Sequence, residues 1–188
     1  PDDRDVRWRF RALARGQLPF LLAVLYLVVA LAVALPALRS ALPAEVTVAD
    51  DIVGAQWTKL LVNQVNALPA VTGLSVQEVV AHDGLRAVLT RGMRETATVA
   101  RAKGLHLARI GAVGPDEVAL LLSDDPAAGE AVPRALAARM GDVPNPASTL
   151  QSIRRGRATE IDALNGVVVA AGADAGLQTP VNALMVEL

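Results

Sequence analysis

The feature that most limits the fold of this chain is a nearly unbroken series of helix signals after Pro43. One segment there, Glu45–Val48, alternates like a short strand. A helical pattern opens at Asp50-Asp51, and its apolar residues recur at helical spacing: Ile52, Val53, Trp57, Leu60, Leu61 and Val65. Because only one strand candidate is present, this part of the chain is predicted to be an all-α helical bundle preceded by a short strand remnant.

Caps and turn residues predict where the helices begin and end. The first boundaries are a stop at Pro69 and Gly73, a capping box at Ser75 and Glu78, a break at Asp83-Gly84 and a C-cap at Gly104. Shorter helices are expected around residues 115–123, 130–140 and 146–155. The last two helices are expected to run from Glu160, capped by Thr159, to about Ala175, and from Thr179-Pro180 onward.

The N-terminal part of the chain has a different character. Leu18 to Leu38 form an uncharged apolar run, and about 20 such residues suffice to cross a bilayer core as a helix. Five arginines precede the run and would keep that end cytoplasmic: Arg4, Arg7, Arg9, Arg11 and Arg15. The run is a candidate transmembrane helix, a buried helix, or the remnant of a truncated domain. We therefore separate residues 1–43 from a helical domain of residues 44–188.

Composition excludes several classes of function. With 18 basic and 19 acidic residues, the chain has no excess of positive charge, so a nucleic-acid partner is not expected. The absence of cysteine excludes a disulfide framework, a thiolate metal site and a cysteine nucleophile. The two histidines, His82 and His106, are too far apart for a paired metal-binding motif. No metal site is predicted, although a site made only of carboxylates stays open.

A polar stripe on the first predicted helix is the strongest candidate for chemistry. Gln56, Lys59, Asn63 and Asn66 fall on one face, opposite a broad apolar side. Such a stripe is usually a solvated helix face. Asparagine, however, costs roughly half a kcal/mol against alanine in a helix, and a lysine beside amides can polarise a carbonyl group. Both interpretations stay open on the residues alone.

A second polar segment lies between residues 148 and 166. It contains Ser148, a basic turn of Arg154, Arg155 and Arg157, and Glu160. Taken alone, it is typical of two capped helices joined by a turn, with Glu160 placed favourably near a helix N-terminus.

Together these segments resemble a known family. DDIVGAQWTKLLVNQVNALPAVTGLS, then NPASTLQSIRRGRATEIDALNG, then GLQTPVN are similar to the C-terminal domain of ketopantoate reductases (2-dehydropantoate 2-reductases) over roughly residues 37–188. The resemblance implies a helical domain similar to that of 6-phosphogluconate dehydrogenase. In the family this domain packs against a Rossmann domain that binds NADPH, with a 2-oxo acid, ketopantoate, in the cleft between them.

The resemblance also assigns residues. It implies that Lys59 is the general acid and Glu160 a second catalytic group. Asn63, Asn66 (allowing one residue of slippage) and Ser148 are implied to bind substrate. Four further residues fit the family pattern, but we expect them to be caps and helix-packing groups: Asp162, Asn165, Thr179 and Asn182.

The chain departs from the family pattern in its N-terminal part. It contains no G-x-G-x-x-G motif and no βαβ succession. We therefore expect that it does not bind NADP(H) alone and needs a Rossmann domain. Residues Leu35–Asp51 resemble the last helix and strand of such a domain.

Two functions follow from this comparison. The first is the substrate-binding, catalytic-lysine part of a reductase in cytoplasmic pantothenate and coenzyme A biosynthesis. The alternative is a non-catalytic helical interaction module, which Leu18–Leu38 would attach to a membrane. A homodimer formed through the Ala/Leu/Val-rich residues 85–103 is a further expectation.

Overall fold

The computed structural model describes residue 30 and residues 51–188. Within residues 51–188 the secondary structure is helical, apart from an isolated bridge between Ile110 and Val113. The all-α prediction is confirmed for these residues. The strand predicted at Glu45–Val48, the helix predicted in the apolar run and the domain boundary at residues 43–44 lie outside them. In the part of the chain that is described, no helix is long and apolar enough to span a membrane.

The first helix, α1 (Ile52–Asn63), begins where the sequence predicts. The Asp51 carboxylate caps it by accepting a hydrogen bond of 2.9 Å from the Gly54 N–H. The chain continues without a break through a 3-10 turn (Gln64–Asn66) into α2 (Ala67–Thr72). Gly73, with φ of 75°, ends α2 in the left-handed conformation that glycine tolerates best.

The next two helices also follow the predicted signals. Helix α3 (Val76–Ala81) carries the capping box, in which Ser75 Oγ accepts from the Glu78 N–H and Glu78 Oε2 accepts from the Ser75 N–H. Helix α4 (Asp83–Ala102) follows it directly. The break between them is at His82, one residue before the predicted position, because His82 Nδ1 accepts from the Leu85 N–H and caps α4.

The remaining helices are shorter. They are α5 (Pro115–Leu122), α6 (Pro126–Gly129), α7 (Ala131–Arg139), α8 (Ser148–Arg154), α9 (Val167–Asp174) and α10 (Pro180–Glu187). A π-helical segment, Asp162–Gly166, leads into α9. The predicted cap at Thr159 is wrong, because helical geometry begins at Ile161 and no Thr159 side-chain cap forms within residues 51–188.

Helix α4 is the centre of the domain. It packs against α1, α3, α5, α7, α9 and α10, and its buried face includes Leu89, Met93, Ala97 and Val99. These apolar residues belong to the segment that suggested a dimer face, but they are used in the domain's own core. These buried side chains are therefore not accessible to a second subunit. The homodimer stays a prediction, and no surface is assigned to it.

Candidate functional site

The polar stripe of α1 faces solvent among the described residues. Lys59 is exposed, whereas Asn63 and Asn66 are half-buried. Helix α1 takes this orientation because Leu61 on its other side is fully buried. Two residues of the predicted apolar series, Ile52 and Val53, are not buried, since they are 62% and 45% exposed at the start of the helix.

Ser148 is the first residue of α8, and its side chain is exposed. Helix α8 packs against α2 and against the 3-10 turn that ends at Asn66. Thr149 and Leu150, the next two residues, are buried. The fold thus brings the element that carries Ser148 against the element that carries Asn66.

Glu160 is exposed and lies shortly before the π-helical segment. Inside that segment, the Asn165 side chain is 2% exposed. Its Nδ2 donates hydrogen bonds to Gln64 Oε1 at 3.0 Å and to Asn182 Oδ1 at 3.1 Å. Because Gln64 stands between Asn63 and Asn66, this contact ties the chain after Glu160 to the end of the polar stripe.

Asn182 extends the same network to the central helix. Its Nδ2 donates to the Gly92 carbonyl at 3.2 Å and to Glu95 Oε2 at 2.7 Å. The Glu95 carboxylate also accepts the backbone N–H groups of Val181 and Asn182 at the start of α10. Asn165 and Asn182 therefore have the helix-packing role expected of them. We refer to Gln64, Asn165 and Asn182 as the amide network.

The five candidate residues share one property. Among residues 51–188, no hydrogen bond or ion pair joins any two of Lys59, Asn63, Asn66, Ser148 and Glu160, and none of these side chains has another hydrogen-bond partner there. The five side chains carry an ammonium group, two amides, a hydroxyl and a carboxylate. Such a set can orient a small oxo acid and supply a proton to it.

The shortest ion pairs within residues 51–188 involve none of these five residues. Arg86, buried on α4, donates to Glu130 at 2.7 Å and also pairs with Asp83. Its hydrogen bonds hold the pKa of the Glu130 and Asp83 carboxyl groups below their usual range. The side chains of residues 51–188 also contain no group of three or more His, Asp or Glu residues placed to hold a metal ion.

Comparison with known families decides where the chain belongs. The family described as "Ketopantoate reductase PanE/ApbA C terminal" matches residues 51–188, which is most of the chain. The chain belongs to this family. The match begins at Asp51, the residue that caps α1.

Individual relatives agree with the family assignment. A 2-dehydropantoate 2-reductase of Caulobacter vibrioides is 34% identical over 156 residues, which cover 82% of this chain and 47% of the relative. The crystal structure of a PanE/ApbA family ketopantoate reductase from Ralstonia eutropha JMP134 superposes with a TM-score of 0.62 at 34% identity, covering 81% of this chain and 45% of that one. This chain therefore spans about half the length of these relatives.

A more distant structure shares the fold only. D-mandelate dehydrogenase, solved in complex with NADH, superposes with a TM-score of 0.59 at 21% identity. The alignment covers 76% of this chain and 49% of the dehydrogenase.

One structural feature beside Ser148 was not predicted from the sequence. Ala147 has φ of 59° and ψ of 159°, a conformation that residues other than glycine rarely adopt. Asn145 and Gln77 hold the backbone around it. The Asn-Pro pair at residues 145–146 indicates a turn, but no local signal identifies Gln77 as its partner.

Proposed function

We propose that the domain is the substrate-binding and catalytic-lysine half of an NADPH-dependent ketopantoate reductase, which converts 2-dehydropantoate to pantoate. The observation that carries this proposal is the polar stripe of α1, in which Lys59 is exposed and Asn63 and Asn66 are half-buried. The 3-10 turn that ends at Asn66 contacts the helix that begins with Ser148. Membership in the family supports it. Ketopantoate as the substrate and the roles of the five residues are parts of the proposal.

The cofactor is assigned to a different part of the enzyme. Residues 51–188 form no parallel sheet and contain no Gly-rich strand-turn-helix, the elements that bind a dinucleotide pyrophosphate. These residues therefore do not fit NADP(H). Reduction of the ketone requires a hydride at C2, which the nicotinamide supplies in this family. We assign cofactor binding to a Rossmann domain that completes the site.

Lys59 has the role of proton donor. As the C2–oxygen double bond becomes a single bond, negative charge develops on the oxygen. The Lys59 ammonium group stabilises this charge and transfers one proton to the oxygen, so that an alcohol forms and a neutral amine remains. Water then returns a proton to the amine. The exposed position of Lys59 in the described domain leaves its ammonium group accessible to substrate and solvent.

The other four residues hold the substrate for this transfer. The Ser148 hydroxyl can donate to the substrate carboxylate, and the Asn63 and Asn66 amides can bind carboxylate or hydroxyl oxygens. The Glu160 carboxylate can accept a hydrogen bond from the substrate hydroxyl group or from Lys59. Fixing the substrate in this way lowers the entropic part of the barrier.

The proposal can be tested with a hybrid enzyme. Residues 51–188 replace the matching C-terminal half of the Caulobacter vibrioides relative, and the hybrid is assayed for oxidation of NADPH with 2-dehydropantoate. The full chain is assayed beside it. We expect reduction by the hybrid and none by the chain alone. A folded hybrid that binds NADPH but does not reduce 2-dehydropantoate would contradict the proposal and favour the non-catalytic interaction module.

A further inference from the structure

We propose that Gln77 and Asn145 are positioning residues that hold Ala147 in a strained backbone conformation and thereby fix the orientation of Ser148. The inference rests on the proposed function, in which Ser148 binds the substrate carboxylate. It adds residues from α3 and from the α7–α8 loop, neither of which belongs to the candidate site.

The strain is confined to one residue. Among the described residues, Ala147 is the single non-glycine residue with positive φ. Its φ of 59° and ψ of 159° lie in a region that is accessible to glycine and costly for a residue with a Cβ atom. Such a conformation persists only when the surrounding contacts over-determine it.

Those contacts form a clamp, which we define as Gln77, Asn145 and the loop backbone that they hold. Gln77 Nε2 donates to the carbonyl groups of Gly141 and Val143 at 3.0 and 2.9 Å, and Gln77 Oε1 accepts the Asn145 N–H at 2.9 Å. The Asn145 carbonyl accepts the Val76 N–H at 2.8 Å. The loop is therefore fixed to the start of α3.

The clamp reaches the strained residue through Asn145. Asn145 Oδ1 accepts the Ala147 N–H at 2.9 Å, which sets the direction of the peptide before Ala147. The Ala147 side chain is 4% exposed in the main core, and its carbonyl accepts the Gln151 N–H at 3.2 Å. With Ala147 held on both sides, the chain enters α8 in one direction, and Ser148 points outward while Thr149 and Leu150 are buried.

Four variants separate positioning from simple stabilisation. Asn145→Ala removes the acceptor for the Ala147 N–H, whereas Asn145→Asp keeps it. Ala147→Gly relieves the strain and lets the backbone adopt other conformations. Val143→Ala is the matched control, because the Val143 side chain lies in the same loop and is 79% exposed. Each variant is made in the hybrid reductase, and kcat, the substrate KM and the thermal midpoint are measured.

The expected pattern is specific to positioning. Asn145→Ala raises the substrate KM by about 3- to 10-fold, the range for one lost hydrogen bond, and Asn145→Asp and Val143→Ala stay within about 2-fold of the parent. Ala147→Gly raises KM in the same range without lowering the thermal midpoint, a combination that a purely structural role does not give. An unchanged KM in both Asn145→Ala and Ala147→Gly would overturn the proposal.

Amide hydrogen exchange in the full chain distinguishes failure of this inference from failure of the proposed function. We expect the Ala147 and Gln151 amides, which donate to Asn145 Oδ1 and to the Ala147 carbonyl, to exchange at least about 10-fold faster in Asn145→Ala and Ala147→Gly than in the parent or Val143→Ala. Unchanged exchange overturns the clamp. Faster exchange together with an inactive parent hybrid keeps the clamp and rejects the role of Ser148 in substrate binding.

Discussion

Asn165 donates a buried hydrogen bond of 3.0 Å to Gln64, a residue 101 positions earlier in the chain. The contact joins the 3-10 turn that ends the polar stripe to the helix that follows Glu160. Asn182 attaches the pair to α4. The relative position of the two halves of the candidate site therefore depends on side-chain amides inside the domain.

Asn165→Leu is expected to destabilise the domain. The substitution keeps a similar volume but leaves Gln64 Oε1 and Asn182 Oδ1 buried without their donor, and each such loss costs about 1–3 kcal/mol. We expect the free energy of unfolding to fall by about 2 kcal/mol or more, measured by urea denaturation of the full chain. The control Gln56→Ala, at an exposed position of α1, should change it by less than about 0.5 kcal/mol. Equal stability of the two variants would contradict the role of the network.

Gly54→Ala is expected to disturb the start of α1. A Cβ atom at Gly54 would lie 2.0 Å from the His106 carbonyl oxygen and 2.6 Å from Asp51 Oδ2. Since the carbonyl belongs to the backbone, the loop around His106 must move, at a cost of about 1–3 kcal/mol. Urea denaturation measures this cost.

Gly84→Ala is the matched control for that substitution. The atom nearest to its Cβ would be His82 Cε1 at 3.4 Å, an ordinary contact. Alanine is also the better helix former. We expect stability to stay the same or rise by up to about 1 kcal/mol. Similar losses for both glycine variants would refute the steric explanation.

The Glu78 capping box predicts an acid-sensitive contribution to stability. Hydrogen bonds from the Ser75 backbone and hydroxyl lower the pKa of Glu78 below its ordinary value of 4.5. The unfolded state therefore binds the proton first as the pH falls. The contribution is fully present above pH 4.5 and is lost as the pH falls through the lowered pKa of the folded state.

Glu78→Gln isolates this effect because glutamine does not titrate. Urea denaturation at a series of pH values, from neutral to about pH 3, gives the free energy of unfolding of the parent and the variant. We expect the parent to be more stable at neutral pH and this difference to shrink as the pH falls. An advantage that stays constant over this range would show that the Glu78 carboxylate does not contribute through its charge.

Local chemistry explains which parts of the fold could be predicted. Asp51, the Ser75–Glu78 box and Pro180 fix helix starts through contacts within one turn, and the structure has these starts where the sequence indicates them. The Trp57–Leu61 periodicity likewise identifies the buried side of α1, because Leu60 and Leu61 are buried. The all-α architecture follows from such local signals.

Contacts between distant segments explain what could not be predicted. The 3-10 turn at Gln64–Asn66 and the π-helical Asp162–Gly166 meet through the Asn165–Gln64 bond, and nothing in either segment alone indicates this. The strained Ala147 depends in the same way on Gln77, which lies 68 positions before its partner Asn145. The stripe of Lys59, Asn63 and Asn66 could be identified because it lies on consecutive turns, but Ser148 and Glu160 were assigned only by family resemblance.

The most direct test of the central claim is the kcat of Lys59→Ala in the hybrid reductase. Lys59 and Lys103 are the two lysines of the chain, and Lys103, exposed at the end of α4, provides the control Lys103→Ala. If Lys59 donates the proton, Lys59→Ala lowers kcat at least about 100-fold, while Lys103→Ala retains the parent value. A kcat for Lys59→Ala equal to that of the control would contradict the account.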